Sequence, residues 1–131
     1  MGSVKKEVGF TLIELLVSIG IISILAAIAI SYYQSYRVRT YDTVARSDLK
    51  NAMIALEDYY LDNDIYPASY SDLPANGFNS SKNVCFTKYD LENGGQRVHM
   101  HIMHTASPNA WHTRYPDDGG DVDHRNPDSC I

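Results

Sequence analysis

An uncharged, strongly apolar run near the amino end constrains this chain more than any other feature of its sequence. From Leu15 to Tyr36 no side chain is charged, and these ~22 residues would form a helix ~33 Å long. That length crosses the ~30 Å hydrocarbon core of a bilayer. Lys5 and Lys6 precede the run. The preference for basic residues on the cytoplasmic side therefore predicts that the carboxyl half of the chain is exported.

Composition alone leaves two ordinary interpretations of the run open, a cleaved secretory signal and a single membrane anchor. The small residues Ala27-Ile28-Ala29 resemble a signal-peptide cleavage site. The helical pattern nevertheless continues past Tyr36, because apolar residues recur in steps of three and four. They are Tyr41, Ala45, Leu49, Ala52, Met53, Leu56 and Tyr60. This spacing defines one helix face, so we predict a single helix from about Phe10 to Leu61.

The two halves of the predicted helix differ in character. The first half is apolar all round, whereas the second half is amphipathic. On its polar side, Asp42 and Arg46 have the spacing and order of a favourable i,i+4 ion pair.

Glu14 is a carboxylate at the start of the apolar run. A charged side chain at the centre of a bilayer costs about 2.5–3.5 kcal/mol on insertion scales, and such residues usually have a specific partner. Nothing that follows Glu14 is polar enough to pair with it locally. We therefore expect its partner on another chain.

The residues around Glu14 carry a specific resemblance. The segment Lys5-Lys6-Glu7-Val8-Gly9-Phe10-Thr11-Leu12-Ile13-Glu14-Leu15 resembles the signature of type IV prepilins and related pseudopilins. The resemblance implies cleavage after Gly9 by a prepilin peptidase, N-methylation of Phe10 and a role for Glu14 in assembly. It covers residues 1 to about 67, roughly half of the chain.

The chemistry of Gly9, Phe10 and Glu14 agrees with the resemblance. Cleavage after Gly9 would free an ammonium group on Phe10. Pairing that group with Glu14 of a neighbouring copy would neutralise a buried charge and set the axial register of a filament. One departure is Ser31, where many members of the family have a proline that would kink the helix. The resemblance alone therefore does not imply that this helix melts locally in a filament, as it does in assembled relatives.

The sequence after the helix predicts a loop and a small antiparallel sheet. Residues 69–81 form the predicted loop. The expected strands are Asn83–Tyr89, Arg97–His104 and a possible third at Ala110–Tyr115, with a turn at Asn93-Gly94-Gly95. The amphipathic half of the helix is the available cover for their apolar face.

The predicted fold class is therefore α+β. A long amino-terminal α-helix packs through its carboxyl half on a small antiparallel β-sheet, which is also the pilin fold that the resemblance implies. The expected organisation is a leader peptide at 1–9, a long assembly and transmembrane helix at 10–62, and a globular, disulfide-tied head at 63–131.

The two cysteines favour one disulfide, since an even number in an exported chain usually pairs. A bond between Cys85 and Cys130 would close a loop of roughly 45 residues, worth about 4 kcal/mol in the chain-entropy model. Two free buried thiols are the alternative.

Two other clusters favour a structural interpretation. A weak calcium candidate consists of four carboxylates in an acidic stretch, Asp117, Asp118, Asp121 and Asp123. A solvated acidic loop is the favoured interpretation of this stretch. His99 and His101 share a predicted strand face, which we expect to be exposed. We predict no metal site, no cofactor and no catalytic centre.

By resemblance, the chain is the major subunit of a type IV pilus, a homopolymer made with a prepilin peptidase, an assembly platform and a motor ATPase. It would reside in the inner membrane as a precursor and then in an extracellular filament for adhesion, motility or surface contact. Alternatives are a type II secretion pseudopilin, a minor pilin, or a subunit of a filament for extracellular electron transfer. The net charge of −5 argues against nucleic-acid binding.

Overall fold

The computed structural model of the chain describes residues 9–116, 123–125 and 130–131, with 123–125 described through the backbone. One α-helix, α1, spans Leu12–Asn63, and a 3₁₀ helix spans Tyr70–Asn76. The strands are β1 (Val84–Glu92), β2 (Arg97–His104), β3 (Ala110–Tyr115) and β4 (Asp123–Arg125). Between β1 and β2 the chain forms a 3₁₀ turn at Asn93–Gly95.

The chain divides after Tyr36 into two compact units, and each is described by itself. The first contains the apolar part of α1, in which the helical conformation continues through Ser31. The second contains the rest of α1 and the sheet. The helix ends at Asn63 because Asp64 has a left-handed backbone conformation, with φ of 58°, a common way to terminate a helix.

The sheet is an antiparallel meander in the order β1-β2-β3-β4. The β1–β2 hairpin pairs Val84 with His104 at one end and Glu92 with Arg97 at the other. Its turn requires glycine at Gly95, whose φ is 91° and where an added Cβ would lie 3.4 Å from the Ile65 side chain. The predicted hairpin and third strand are present.

The core lies between the amphipathic half of α1 and one face of the sheet. The helix contributes Leu49 and Leu56, and β2 contributes Val98, Met100 and Ile102, all fully buried. These residues belong to one apolar cluster, whose burial is the main favourable term in folding. The predicted α+β fold, with a long helix packed on a small antiparallel sheet, is confirmed.

Two carboxylates of α1 tie loops of the head to the helix. Asp42 accepts hydrogen bonds from Ser107 Oγ and from Asn109 Nδ2, the latter at 2.7 Å. Asp48 is buried, and its carboxylate accepts from the amide and, at 2.9 Å, from the hydroxyl of Ser81. Buried carboxylates need such donors, because an unpaired buried charge is costly.

The predicted Asp42–Arg46 ion pair is wrong, because each side chain has another partner. The Asp42 carboxylate faces donors from the head, and the Arg46 guanidinium lies 5.3 Å from the centre of the Trp111 ring, within cation–π range. Helix spacing permits an i,i+4 pair but does not reveal the donors that another segment brings.

The predicted loop at 69–81 contains the 3₁₀ helix. Ser69 caps it by accepting a hydrogen bond from the Ser71 amide at 3.2 Å, and Gly77 ends it with φ of 83°. The strand β4 was also not predicted, since three residues are too few for an alternating pattern to be visible.

Cys85 and Cys130 are joined by a disulfide, with their Cα atoms 5.8 Å apart. The next residue, Ile131, donates its amide to the Phe86 carbonyl at 3.0 Å. Its own carbonyl accepts from the Tyr70 hydroxyl at 3.0 Å. The disulfide therefore places residues 130–131 beside β1.

Candidate functional site

The start of α1 is a capping box built from Thr11 and Glu14. The Thr11 amide and hydroxyl donate to Glu14 Oε2 at 2.9 and 2.8 Å. In return, the Glu14 amide donates to Thr11 Oγ1 at 3.3 Å. This reciprocal arrangement satisfies backbone donors that have no partner within the first helical turn.

The expectation that Glu14 lacks a local partner is therefore wrong. In the described part of the chain, the residues that follow Glu14 offer its carboxylate no partner, whereas Thr11, its partner, precedes it by three positions. The sequence contains the signal, because threonine followed three residues later by glutamate before an apolar run is the capping-box pattern. The carboxylate thus stabilises the helix start before any contact with another chain.

Glu14 is also exposed and lies beside an apolar hollow. The hollow has a volume of about 350 Å³ and is lined by Phe10, Ile13, Glu14, Val17 and Ser18. Both hydrogen bonds from Thr11 end on Oε2. Within the described part of the chain this leaves the other carboxylate oxygen, Oε1, available to a cation from outside.

The helix beyond Glu14 exposes apolar side chains on all sides. Its large exposed residues are Leu15, Leu16, Val17, Ile19, Ile21, Ile22, Ile24, Leu25, Ile28 and Ile30, each about half exposed or more. By length and composition, α1 could cross a membrane. A helix that is apolar all round needs lipid or other helices around it.

Two serines within this apolar segment have their hydroxyl groups satisfied by the helix itself. Ser18 donates to the Glu14 carbonyl and Ser23 to the Ile19 carbonyl, each at 2.7 Å. Such i−4 bonds remove the cost of an unpaired hydroxyl in an apolar environment. Glu14 is the one acidic or basic residue between Gly9 and Tyr36.

The calcium candidate falls largely outside the described residues. Asp117, Asp118 and Asp121 lie there, and Asp123 is described through its backbone in β4. The hypothesis of a calcium site in this stretch therefore stays a prediction.

The histidine face of the sheet differs from its prediction. His99 and His101 are 6% and 8% exposed, so the expectation of an exposed strand face is wrong. A third histidine, His112 on β3, lies beside them. Sequence reasoning missed it, although pairing the predicted second and third strands would have suggested it.

Known proteins resemble this chain both in its amino-terminal segment and over most of its length. Residues 5–30 match the family model of the prokaryotic N-terminal methylation motif. The chain is 34% identical over 116 residues to the Type IV wide pilus major component PilA4 of Thermus thermophilus, which covers 88% of this chain and 86% of that protein.

Two further relatives match shorter parts. The Type II secretion system core protein G of Pseudomonas aeruginosa is 39% identical over 54% of this chain and 50% of its own length. The Type IV major pilin protein PilE of Neisseria gonorrhoeae is 35% identical over 72% of this chain and 55% of its own length. The chain thus spans about half the length of these two relatives.

Proposed function

The chain belongs to the type IV pilin family, and we propose that it is the major subunit of a type IV pilus. In this proposal the leader 1–9 is removed after Gly9, Phe10 is methylated, and the helix 10–62 drives polymerisation while the head 63–131 faces outward. Members of this family are structural subunits, and the chain is not an enzyme.

The observation that carries the proposal is the exposure of the Glu14 carboxylate beside exposed apolar side chains. It is an exposed carboxylate at the start of a helix whose apolar side chains are exposed on every side. Packing such helices together buries the apolar surface, and this is favourable by roughly 25 cal/mol per Å². The same packing would bury Glu14, which then requires a cation.

The amino group of a processed Phe10 is the cation that the proposal supplies. Within one chain, Glu14 Oε2 is already occupied by the Thr11 amide and hydroxyl. The Phe10 ammonium group of a neighbouring copy would approach Oε1, and its side chain would enter the apolar hollow beside Glu14. A charge-assisted hydrogen bond in a low-dielectric core would then set the register between copies.

The rest of the proposed cycle is an expectation based on the resemblance to type IV pilins. A prepilin peptidase processes the precursor in the inner membrane, and an assembly platform with its motor ATPase extracts it into the filament. The assembled filament is extracellular and serves adhesion, motility or surface contact. The acidic heads would form its surface, because the excess of acidic residues lies in 62–131.

A pseudopilin of a type II secretion system is the second candidate, favoured by the similarity to core protein G. That similarity covers 54% of the chain. The similarity to a pilus component covers 88% of it and must include much of the head. Because the similarity to the pilus component extends over much of the head, we favour a pilus subunit over a pseudopilin.

Mass spectrometry of the mature protein tests the proposal. The expected result is a chain that begins at Phe10 and carries one added methyl group, recovered from filaments sheared off the cell surface. A chain that begins near Ile30, as after ordinary signal cleavage, would contradict it. Recovery of the Phe10 form from the periplasm, with no surface filaments, would instead support the pseudopilin.

A further inference from the structure

Three histidines cluster on the sheet face opposite α1. His99 and His101 are two residues apart on β2, and His112 on β3 is the direct cross-strand partner of His101. Residues with these relationships project from the same face of a sheet. All three side chains are at least nine-tenths buried, with exposures of 6%, 8% and 5%.

The rings are close enough to share one ligand. His101 Nε2 lies 3.0 Å from His99 Nε2. The ring centres of His101 and His112 are 5.4 Å apart, and those of His99 and His112 are 6.0 Å apart. Two imidazole nitrogens bound to a tetrahedral zinc ion at ~2.0–2.1 Å stand about 3.3–3.4 Å from each other. His99 and His101 are therefore near the separation that a common ion requires.

We propose that His99, His101 and His112 form a binding site for a divalent transition-metal ion of the Zn²⁺ class. Three imidazoles are a suitable donor set for Zn²⁺, Cu²⁺ or Ni²⁺, whereas Mg²⁺ and Ca²⁺ prefer oxygen ligands. Three histidines leave a fourth coordination position open to water or to another group.

His112 completes the site through a change of its side-chain torsions. In the present conformation, the described residues contain no set of three donors that already converge on one point. His112 Nδ1 is nevertheless buried without a hydrogen-bond partner, which costs free energy. Because His112 lies directly opposite His101, rotation of its ring can bring a nitrogen toward the ion and remove that cost.

Glu92 is positioned to orient one of the ligands. Its Oε1 atom lies 3.7 Å from Nδ1 of His99, on the opposite side of the ring from the nitrogen that faces His101. A carboxylate that hydrogen-bonds a ligating imidazole fixes its tautomer and strengthens its binding to the metal. At 3.7 Å Glu92 is beyond hydrogen-bond distance, so in this proposal it moves closer when the metal binds.

The basic side chains near the three histidines are paired with carboxylates. Lys88 lies 3.1 Å from Asp90, and Arg114 lies 3.9 Å from Glu92. Glu92 also pairs with Arg97 at 2.9 Å, so two carboxylates offset part of the charge of three basic side chains.

Zinc titration of the full chain in detergent, followed by isothermal calorimetry, tests the proposal. We expect one Zn²⁺ per chain and no comparable binding of Mg²⁺. His101→Gln and His112→Gln should each weaken Zn²⁺ binding by more than about 100-fold. Glu92→Gln should weaken it by about 10- to 100-fold, the usual effect of losing a group that orients a ligand.

The matched control is His104→Asn. His104 is also a buried histidine of β2, but it stacks on Tyr41, and its Nδ1 accepts a hydrogen bond from the Ala106 amide at 3.1 Å. The asparagine oxygen can keep that bond, so Zn²⁺ affinity should stay within about twofold. Circular dichroism without metal checks that each variant is folded.

Nitrogen-15 spectra of histidine-labelled wild-type chain supply a readout that needs no variant. Zn²⁺ should shift ring nitrogens of His99, His101 and His112 and leave those of His104 in place. Absence of Zn²⁺ binding, or binding of equal strength in His112→Gln, would overturn the proposal. The three rings would then form a purely structural hydrogen-bonded group.

Discussion

Thr11 and Glu14 form a reciprocal pair in which the glutamate accepts two hydrogen bonds through Oε2 and donates one from its amide. One side chain therefore has two tasks. It caps the long helix within its own chain and, in the proposed filament, it neutralises the amino group of a neighbour. The two carboxylate oxygens allow both tasks at once.

Glu14→Ala should leave processing and membrane insertion intact but abolish most filament formation, because the neighbouring Phe10 ammonium would be buried without a counter-ion. Thr11→Ala is the matched control, since it removes the hydroxyl contacts of the cap while keeping the carboxylate. Loss of such a cap costs about 0.5–2 kcal/mol, and filament yield should fall far less. Western blots of sheared filaments and membrane fractions measure both. Wild-type yield from Glu14→Ala would reject the pairing.

Asp48→Ala should destabilise the head by about 1–3 kcal/mol, because the Ser81 amide and hydroxyl lose their shared acceptor in a partly buried position. Asp62→Ala, at an exposed position on the same helix, should change stability by no more than about 0.5 kcal/mol. Urea unfolding followed by circular dichroism provides the comparison. Equal effects of the two substitutions would show that the Asp48–Ser81 contact contributes nothing specific.

Replacing Cys85 and Cys130 together by serine should lower the free energy of unfolding by about 4 kcal/mol, the chain-entropy value for a loop of roughly 45 residues. A thiol assay on denatured wild-type chain should detect no free thiol before reduction. Unfolding of wild type with and without reductant gives a second measurement. Two free thiols per unreduced chain would show that the bond is absent from the purified protein.

Tyr66 should make the head sensitive to high pH. Burial first, and then the charges of Glu57 and Tyr115, raise the pKa of Tyr66 from 10 to about 12. The folded state favours the neutral phenol, so its stabilising contribution is complete below pH 10. It is lost as the pH rises from 10 through 12.

Tyr66→Phe should therefore flatten the fall in unfolding temperature between about pH 10 and 12, since phenylalanine does not ionise. Tyr59 is a half-buried tyrosine of α1. Tyr59→Phe therefore controls for the removal of a tyrosine hydroxyl elsewhere in the protein. Thermal unfolding at a series of pH values makes the measurement. A pH profile of Tyr66→Phe that superimposes on wild type would exclude Tyr66 as the responsible group.

The hairpin shows what local pattern predicts well. Alternation in Arg97–His104 and the turn at Asn93-Gly94-Gly95 identified two strands and their connection, since each signal lies within a few residues. The 3₁₀ helix Tyr70–Asn76 and the strand β4 were missed. Both are short, and their stability depends on what they pack against rather than on their own composition.

The candidate assembly site was predictable because it is continuous in sequence. Gly9, Phe10 and Glu14 lie within six residues, and the apolar run follows at once. Even there, the pairing of Glu14 with Thr11 was not predicted, because Thr11 precedes the apolar run that made Glu14 conspicuous. The processing and assembly roles of these residues remain predictions.

The amino-acid order alone was enough to identify the apolar helix, the amphipathic continuation and the family signature, because periodicity and short motifs are local properties. It did not reveal that Asp42 and Asp48 bind loops of the head, or that His99, His101 and His112 meet on a buried face. Periodicity tells which residues share a face. Whether that face is covered depends on segments distant in the chain, and so it emerged from the folded arrangement.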